Sequence, residues 1–161
     1  MSSCVFAGSF DPVTSGHMDV IARASAIFDK VIVTVMINVN KQCTFPVKNR
    51  ISMLKKACGR FPNVEVDRWD GLLADYMRER GMKILIRGIR SCSEFEHEYA
   101  SAVINRGLND QFETLLIPSD PAFGAVSSST VREVARFGGD LRGLVPDELV
   151  KDIGRILSKE I

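Results

Sequence analysis

At 161 residues the chain has the length of one ordinary domain, and its 45% hydrophobic and 25% charged content excludes a disordered or fibrous protein. A net charge of +1 is too small to imply a nucleic-acid surface by itself. The longest apolar run, Val31 to Ile37 with Thr34 inside it, is far shorter than the roughly 20 residues that cross a bilayer, so no membrane span is expected.

The start of the chain, Met1-Ser2-Ser3-Cys4-Val5-Phe6, lacks the basic and long apolar regions of a secretory signal, and export is not expected. Cys4, Cys43, Cys58 and Cys92 form no CxxC pair and have no histidine at metal-ligand spacing. Neither a zinc site nor a disulfide framework is suggested, and a reducing cytoplasm fits best.

In chain order, short apolar runs alternate with helical patterns. Cys4 to Ala7, Val31 to Ile37, Val64 to Val66, Ile84 to Ile86 and Leu115 to Ile117 read as strands. Helices are predicted near Gly16 to Phe28, Val47 to Cys58, Leu72 to Arg80 and Glu94 to Asn109. Ile21, Ala24 and Phe28 share one face of the first by their spacing. Two more helices, about Ser128 to Phe137 and Asp147 to Leu157, finish the chain. Strict alternation predicts an α/β fold, Rossmann-like, with an open parallel five-stranded sheet, helices on both faces and C-terminal helices. No repeat or linker divides the chain, so residues 1–161 are read as a single domain.

In such a sheet ligands bind beyond the carboxyl ends of the strands, so those loops are where chemistry is sought. The first reads Ala7-Gly8-Ser9-Phe10-Asp11-Pro12-Val13-Thr14-Ser15-Gly16-His17. Gly8 permits a tight turn or close approach, and Gly16 lets a ligand come close to the incoming helix. His17 falls in the first helical turn, where unpaired N–H groups and the helix dipole favour phosphate. Neither GxGxxG nor GxxxxGK[ST] is present here. Alone, a phosphate-binding His17 and a plain helix-start His17 are equally good readings.

Three other segments point to anions. Arg87-Gly88-Ile89-Arg90 puts two guanidiniums, each a planar fork of donors, at the rim after the fourth strand. Lys41, in Asn38-Val39-Asn40-Lys41, lies at the same rim. Ser127-Ser128-Ser129, at the end of Pro121-Ala122-Phe123-Gly124-Ala125-Val126, can cap a helix and also donate to phosphate. Taken singly, a basic turn, a surface lysine and plain capping explain each as well.

Together, Gly8-Ser9-Phe10-Asp11-Pro12-Val13-Thr14-Ser15-Gly16-His17, Lys41, the RGxR segment and the serine run closely resemble the TxGH-type nucleotidyltransferase signatures, in the form used by phosphopantetheine adenylyltransferases. The resemblance covers essentially the whole chain, with Ser9 where the family usually has threonine, Val126 for isoleucine and Phe123 for tryptophan or tyrosine. It implies transfer of AMP from ATP to the phosphate of 4′-phosphopantetheine, with Mg²⁺ held mainly by nucleotide oxygens. It implies catalytic roles for Ser9, His17, Lys41 and Arg90. ATP contacts would fall on Ser9, Phe10, His17, Gly88, Ile89, Arg90, Glu98, Phe123, Gly124, Ala125, Val126, Ser127, Ser128 and Ser129. Acceptor contacts would fall on Ser9, Lys41, Leu73 and Arg87. A homohexamer is also implied.

Two rivals remain. Sister enzymes that adenylylate nicotinate mononucleotide or transfer CMP to an alcohol phosphate generally carry HxGH, whereas Thr14 stands at the first position here. A non-catalytic ATP-sensing module would not need the acceptor-side groups.

Overall fold

Alternation along the strands decides which face each side chain enters. In β1 (Ser3–Gly8) and β2 (Lys30–Ile37), Cys4, Phe6, Val31, Val33 and Val35 are buried in one core and Val5, Ala7 and Ile32 in another. A strand whose side chains are covered on both faces reads as a near-continuous apolar run, as these two do.

The computed structural model describes residues 2–37 and 42–157. Between the strands come α1 (Ser15–Ile27), α2 (Val47–Cys58), β3 (Val64–Asp70), α3 (Leu73–Glu79), β4 (Ile84–Ile89), α4 (Cys92–Leu108) and β5 (Glu113–Pro118). After a short 3₁₀ turn at Pro121–Phe123 come α5 (Ser128–Arg136), a second such turn at Asp147–Leu149, and α6 (Val150–Leu157). The strands form one parallel sheet in the order β3-β2-β1-β4-β5.

The larger core packs α1, α2, α5 and α6 against one face through residues such as Ile21, Ala24, Leu54, Val131, Ile153 and Leu157. Phe28 packs at its margin, so the predicted inner face of α1 is the face that is buried. The smaller core sets Ala74, Tyr76 and Met77 of α3, with Phe112, against the other face. The Ser15 N–H donates to the Leu144 carbonyl at 2.9 Å, tying the C-terminal region to the start of α1.

Beyond shifts of one or two residues at element ends, three differences from the sequence expectation stand out. β3 continues through Asp67, Arg68, Trp69 and Asp70, paired with Thr34 to Ile37. It is an edge strand, and its polar end carries no apolar signal. β4 runs on through Arg87, Gly88 and Ile89, so those residues belong to a strand rather than to a loop. The last helix is preceded by a separate 3₁₀ turn that holds Leu149 fully buried.

The order of the strands also positions the site. The chain moves outward from β1 to β3, then returns to pair β4 with the free side of β1. A crevice opens at that reversal, beyond the carboxyl ends of β1 and β4. Gly88 is what lets α1 approach there, since a Cβ on it would lie 3.0 Å from Val20 Cγ2. Gly88→Val should therefore cost about 1–3 kcal/mol through overpacking. In urea unfolding, Gly88→Val combined with Val20→Ala should be less damaging than the sum of the two single changes.

Candidate active site

At this crevice lies a cavity of about 550 Å³. Its walls come from the β1–α1 loop (Ser9, Phe10), the first turn of α1 (Gly16, His17), the end of β4 and the residue after it (Arg87, Gly88, Arg90), α4 (Glu94, His97, Glu98) and the cap and first turns of α5 (Ser127, Ser128, Ser129, Arg132). A smaller cavity of about 180 Å³ shares Leu73, Arg87 and Glu98 with it and continues along Leu85, Ser101, Ala102, Asn105 and Thr114.

His17 owes its orientation to a capping box. Thr14 is the N-cap of α1, and its hydroxyl accepts from the His17 N–H at 3.3 Å. The imidazole turns back so that Nδ1 accepts the Thr14 backbone N–H at 3.0 Å. The Thr14 hydroxyl is also 3.0 Å from Nδ1. A backbone N–H can only donate, so Nδ1 carries the lone pair and the ring proton sits on Nε2. The ring packs against Phe10, with centroids 5.1 Å apart, and Phe6 at 6.3 Å. Burial, then the charges of Arg90 and Arg87, lower its pKa from 6.5 to about 4. His17 is thus a neutral Nε2–H donor facing a cavity, able to stabilise negative charge without itself bringing a proton equilibrium near pH 7.

Both arginines of the RGxR segment are held by carboxylates of α4. Glu98 accepts Arg87 Nε at 2.8 Å and Nη2 at 2.6 Å, while Arg87 Nη1 donates to the Ala7 carbonyl. Glu94 accepts from Arg90 through Nε at 3.2 Å and through Nη2, and Arg90 Nη1 donates to the Val126 carbonyl at 2.6 Å. Burial would raise the Glu94 pKa, but hydrogen bonds from the Arg90 side chain and backbone outweigh it and lower the pKa. Arg87 therefore ties β4 to β1, and Arg90 ties β4 to the loop before α5.

The serine run is also engaged. Ser127 is the N-cap of α5, accepting from the Thr130 N–H at 3.1 Å. Ser128 Oγ donates to the Pro12 carbonyl at 2.8 Å, and Ser129 Oγ accepts from Arg132 Nη2 at 3.1 Å. Arg132 reaches the β1–α1 loop as well, donating through Nη1 to the Asp11 carbonyl. Asp11 is buried and accepts the Thr44 and Phe45 N–H groups at 2.9 and 2.8 Å. In return the buried Arg50 of α2 donates to the Phe45 carbonyl at 3.0 Å and the Ser9 carbonyl at 2.6 Å. This two-way latch fixes the Ser9 loop against the segment that follows Lys41.

Ser9, Phe10, His17, Leu73, Arg87, Gly88, Arg90, Glu98, Val126 and the three serines meet at the cavity wall. Ile89, Phe123, Gly124 and Ala125 do not line it. Phe123 instead packs on α1, its Cβ 3.6 Å from where a Gly16 Cβ would stand, while Gly16 itself lines the cavity. Lys41 lies outside the described residues. Glu94, Arg132, Asp11 and Arg50 escaped sequence reasoning. A Ser91-x-x-Glu94 capping pattern was the only signal for Glu94, and a lone buried arginine such as Arg50 leaves none.

Known proteins resemble the chain over most of its length. The cytidylyltransferase-like family model matches residues 5–134. A phosphopantetheine adenylyltransferase of Clostridium tetani is 43% identical over 153 residues, covering 95% of this chain and 96% of its own. The chain belongs to the phosphopantetheine adenylyltransferase family. The Clostridium beijerinckii relative of the same name is 44% identical, again over 95% of this chain and 96% of its own. A solved structure from Vibrio parahaemolyticus, described as a nicotinate-nucleotide adenylyltransferase, matches with a TM-score of 0.69 over 100% of this chain and 98% of that one. At 17% identity that likeness establishes the shared fold alone.

The lowered His17 pKa has a consequence for stability. Because His17 binds a proton less readily folded than unfolded, its neutral form stabilises the fold above pH 6.5, and that contribution is lost as pH falls toward about 4. Between pH 6.5 and 4 the melting temperature of His17→Gln should fall less steeply than that of the parent chain. Circular dichroism melts across that range test this.

Proposed function

We propose that this chain transfers the adenylyl group of ATP to 4′-phosphopantetheine, giving dephospho-CoA and pyrophosphate in a reversible step of coenzyme A biosynthesis. The observation that carries the reading is the convergence of a neutral histidine N–H, two braced guanidiniums and a helix-start serine run on one cavity. Relatives of that name, more than 40% identical over nearly the whole chain, support it.

In this reading a 4′-phosphate oxygen attacks the α-phosphorus of ATP while the bond to the bridging oxygen breaks and pyrophosphate leaves. A phosphate dianion is already nucleophilic, so catalysis consists of alignment and charge stabilisation. His17 donates through Nε2 to the oxygens that gain charge in the transition state. Arg90 and the start of α5 hold the nucleotide phosphates, and Ser9 orients the reacting groups. Arg87, together with Lys41 as the family resemblance implies, holds the acceptor phosphate. The smaller cavity beyond Leu73, where Ser101, Asn105 and Thr114 stand beside Leu85 and Ala102, suits the amide-bearing arm of pantetheine.

Mg²⁺ belongs to this proposal as a companion of the nucleotide. Among the described residues no group of three or more His, Cys, Asp or Glu could hold a metal ion. Glu94 and Glu98 are already engaged by the arginines. The ion would be held mainly by nucleotide phosphate oxygens, since Mg²⁺ tolerates sparse protein ligation, and no step above depends on it.

We place the enzyme in the cytoplasm, in keeping with its four free thiols, and propose a homohexamer. Support for self-association comes from α4, none of whose residues is buried in a single copy. It exposes Phe95, Tyr99, Val103, Ile104 and Leu108. Several large apolar side chains exposed on one helix are the kind that another protein surface covers. Val103→Glu should reduce the mass measured by light scattering if α4 meets another copy.

The catalytic reading predicts pyrophosphate release from ATP only when 4′-phosphopantetheine is present, and little turnover with nicotinate mononucleotide or with CTP and an alcohol phosphate. ATP binding without acceptor-dependent release would favour a sensing module. His17→Ala should lower kcat by a factor on the order of a hundred to a thousand while shifting KM only slightly. Steady-state assays read both numbers, and an unchanged kcat removes His17 from the chemistry.

A further inference from the structure

We propose that Glu94 is a positioning residue for the transfer reaction, fixing the Arg90 guanidinium so that it spans the cavity rim to Val126 and presents its remaining donors to the nucleotide. The inference rests on the reading of Arg90 as a nucleotide contact.

Its basis is local. Ser91 is the N-cap of α4 and its hydroxyl accepts the Glu94 N–H at 3.3 Å. In an ordinary capping box the glutamate would return to the N–H of the cap residue itself. Here the Glu94 carboxylate reaches one residue further and accepts the Arg90 backbone N–H at 2.8 Å. The same carboxylate accepts from Nε and Nη2 of Arg90. One side chain therefore holds both the backbone and the guanidinium of the arginine.

The consequence follows from the chemistry of arginine. A free arginine at a strand end samples many rotamers, whereas a planar fork held at Nε and Nη2 has its direction set. So directed, Nη1 reaches the Val126 carbonyl at 2.6 Å, immediately before the Ser127 cap. Of the five guanidinium N–H groups, the described contacts engage three. One N–H on each terminal nitrogen lies outside them and is left to donate to a phosphoryl oxygen. Glu94 and Arg90 both line the cavity, so the brace stands where the nucleotide is read to bind. Glu98 does not duplicate it, since its partner is Arg87.

A glutamate that merely caps α4 would affect activity independently of Arg90, and a double-mutant cycle separates the two roles. Pyrophosphate release with ATP and 4′-phosphopantetheine would be measured on the full chain for the parent, Glu94→Ala, Arg90→Ala and the double variant, alongside thermal unfolding. Glu94→Ala should lower kcat roughly ten- to hundredfold, with the KM for 4′-phosphopantetheine little changed. In the Arg90→Ala background the same change should cost almost nothing further. Glu94→Gln keeps an acceptor for the Arg90 N–H but drops the charge, should fall between, and replaces Glu94→Ala in the cycle if that variant does not fold. Penalties that multiply would overturn the inference, as would a Glu94→Ala chain that binds ATP more tightly with kcat intact. Full turnover by Arg90→Ala alone would instead refute the reading of Arg90, and the inference with it.

Discussion

The pairing of β1 with β4 is the constraint on which the site depends. Only two residue pairs define its register, Val5 with Leu85 and Phe6 with Ile86. Yet it lays the end of β1 beside the end of β4, so that Arg87 donates to the Ala7 carbonyl. Two segments some eighty positions apart in the chain thereby share one rim. Without that pairing the His17 loop and the two guanidiniums would belong to separate surfaces.

Charge balance explains how so many cations can stand together before any ligand arrives. Arg87, Arg90 and Arg132 are matched by Glu98, Glu94 and Asp11. Each pair also spans two segments or anchors a backbone carbonyl, so the electrostatics and the geometry are set by the same bonds. His17 stays neutral among these arginines because a charged imidazole would meet both burial and two like charges. The site is thus arranged before binding, which is what catalysis by alignment requires.

Much of this was legible from residue order. Alternating apolar runs foretell a parallel sheet because buried strands and their crossover helices leave distinct periods. The segments that line the cavity were legible because their residue types have few other uses in that combination. What escaped detection was pairing across long distances. Nothing in the sequence says that Glu98 meets Arg87, or that Arg50 reaches Ser9, since those contacts depend on how helices pack. The polar end of β3 and the strand character of Arg87 and Gly88 were hidden for a related reason: a ladder of backbone hydrogen bonds can continue where the apolar pattern stops.

His17 is a neutral Nε2–H donor at the wall of the cavity proposed to take both substrates. Imidazole ¹⁵N NMR tests this most directly. His17 should show a protonated Nε2 and an unprotonated Nδ1 from pH 8 down to pH 5.5, with the Nε2 signal displaced on addition of ATP. A His17 ring that protonates near its ordinary value of 6.5, or whose Nε2 is indifferent to saturating nucleotide, would contradict it.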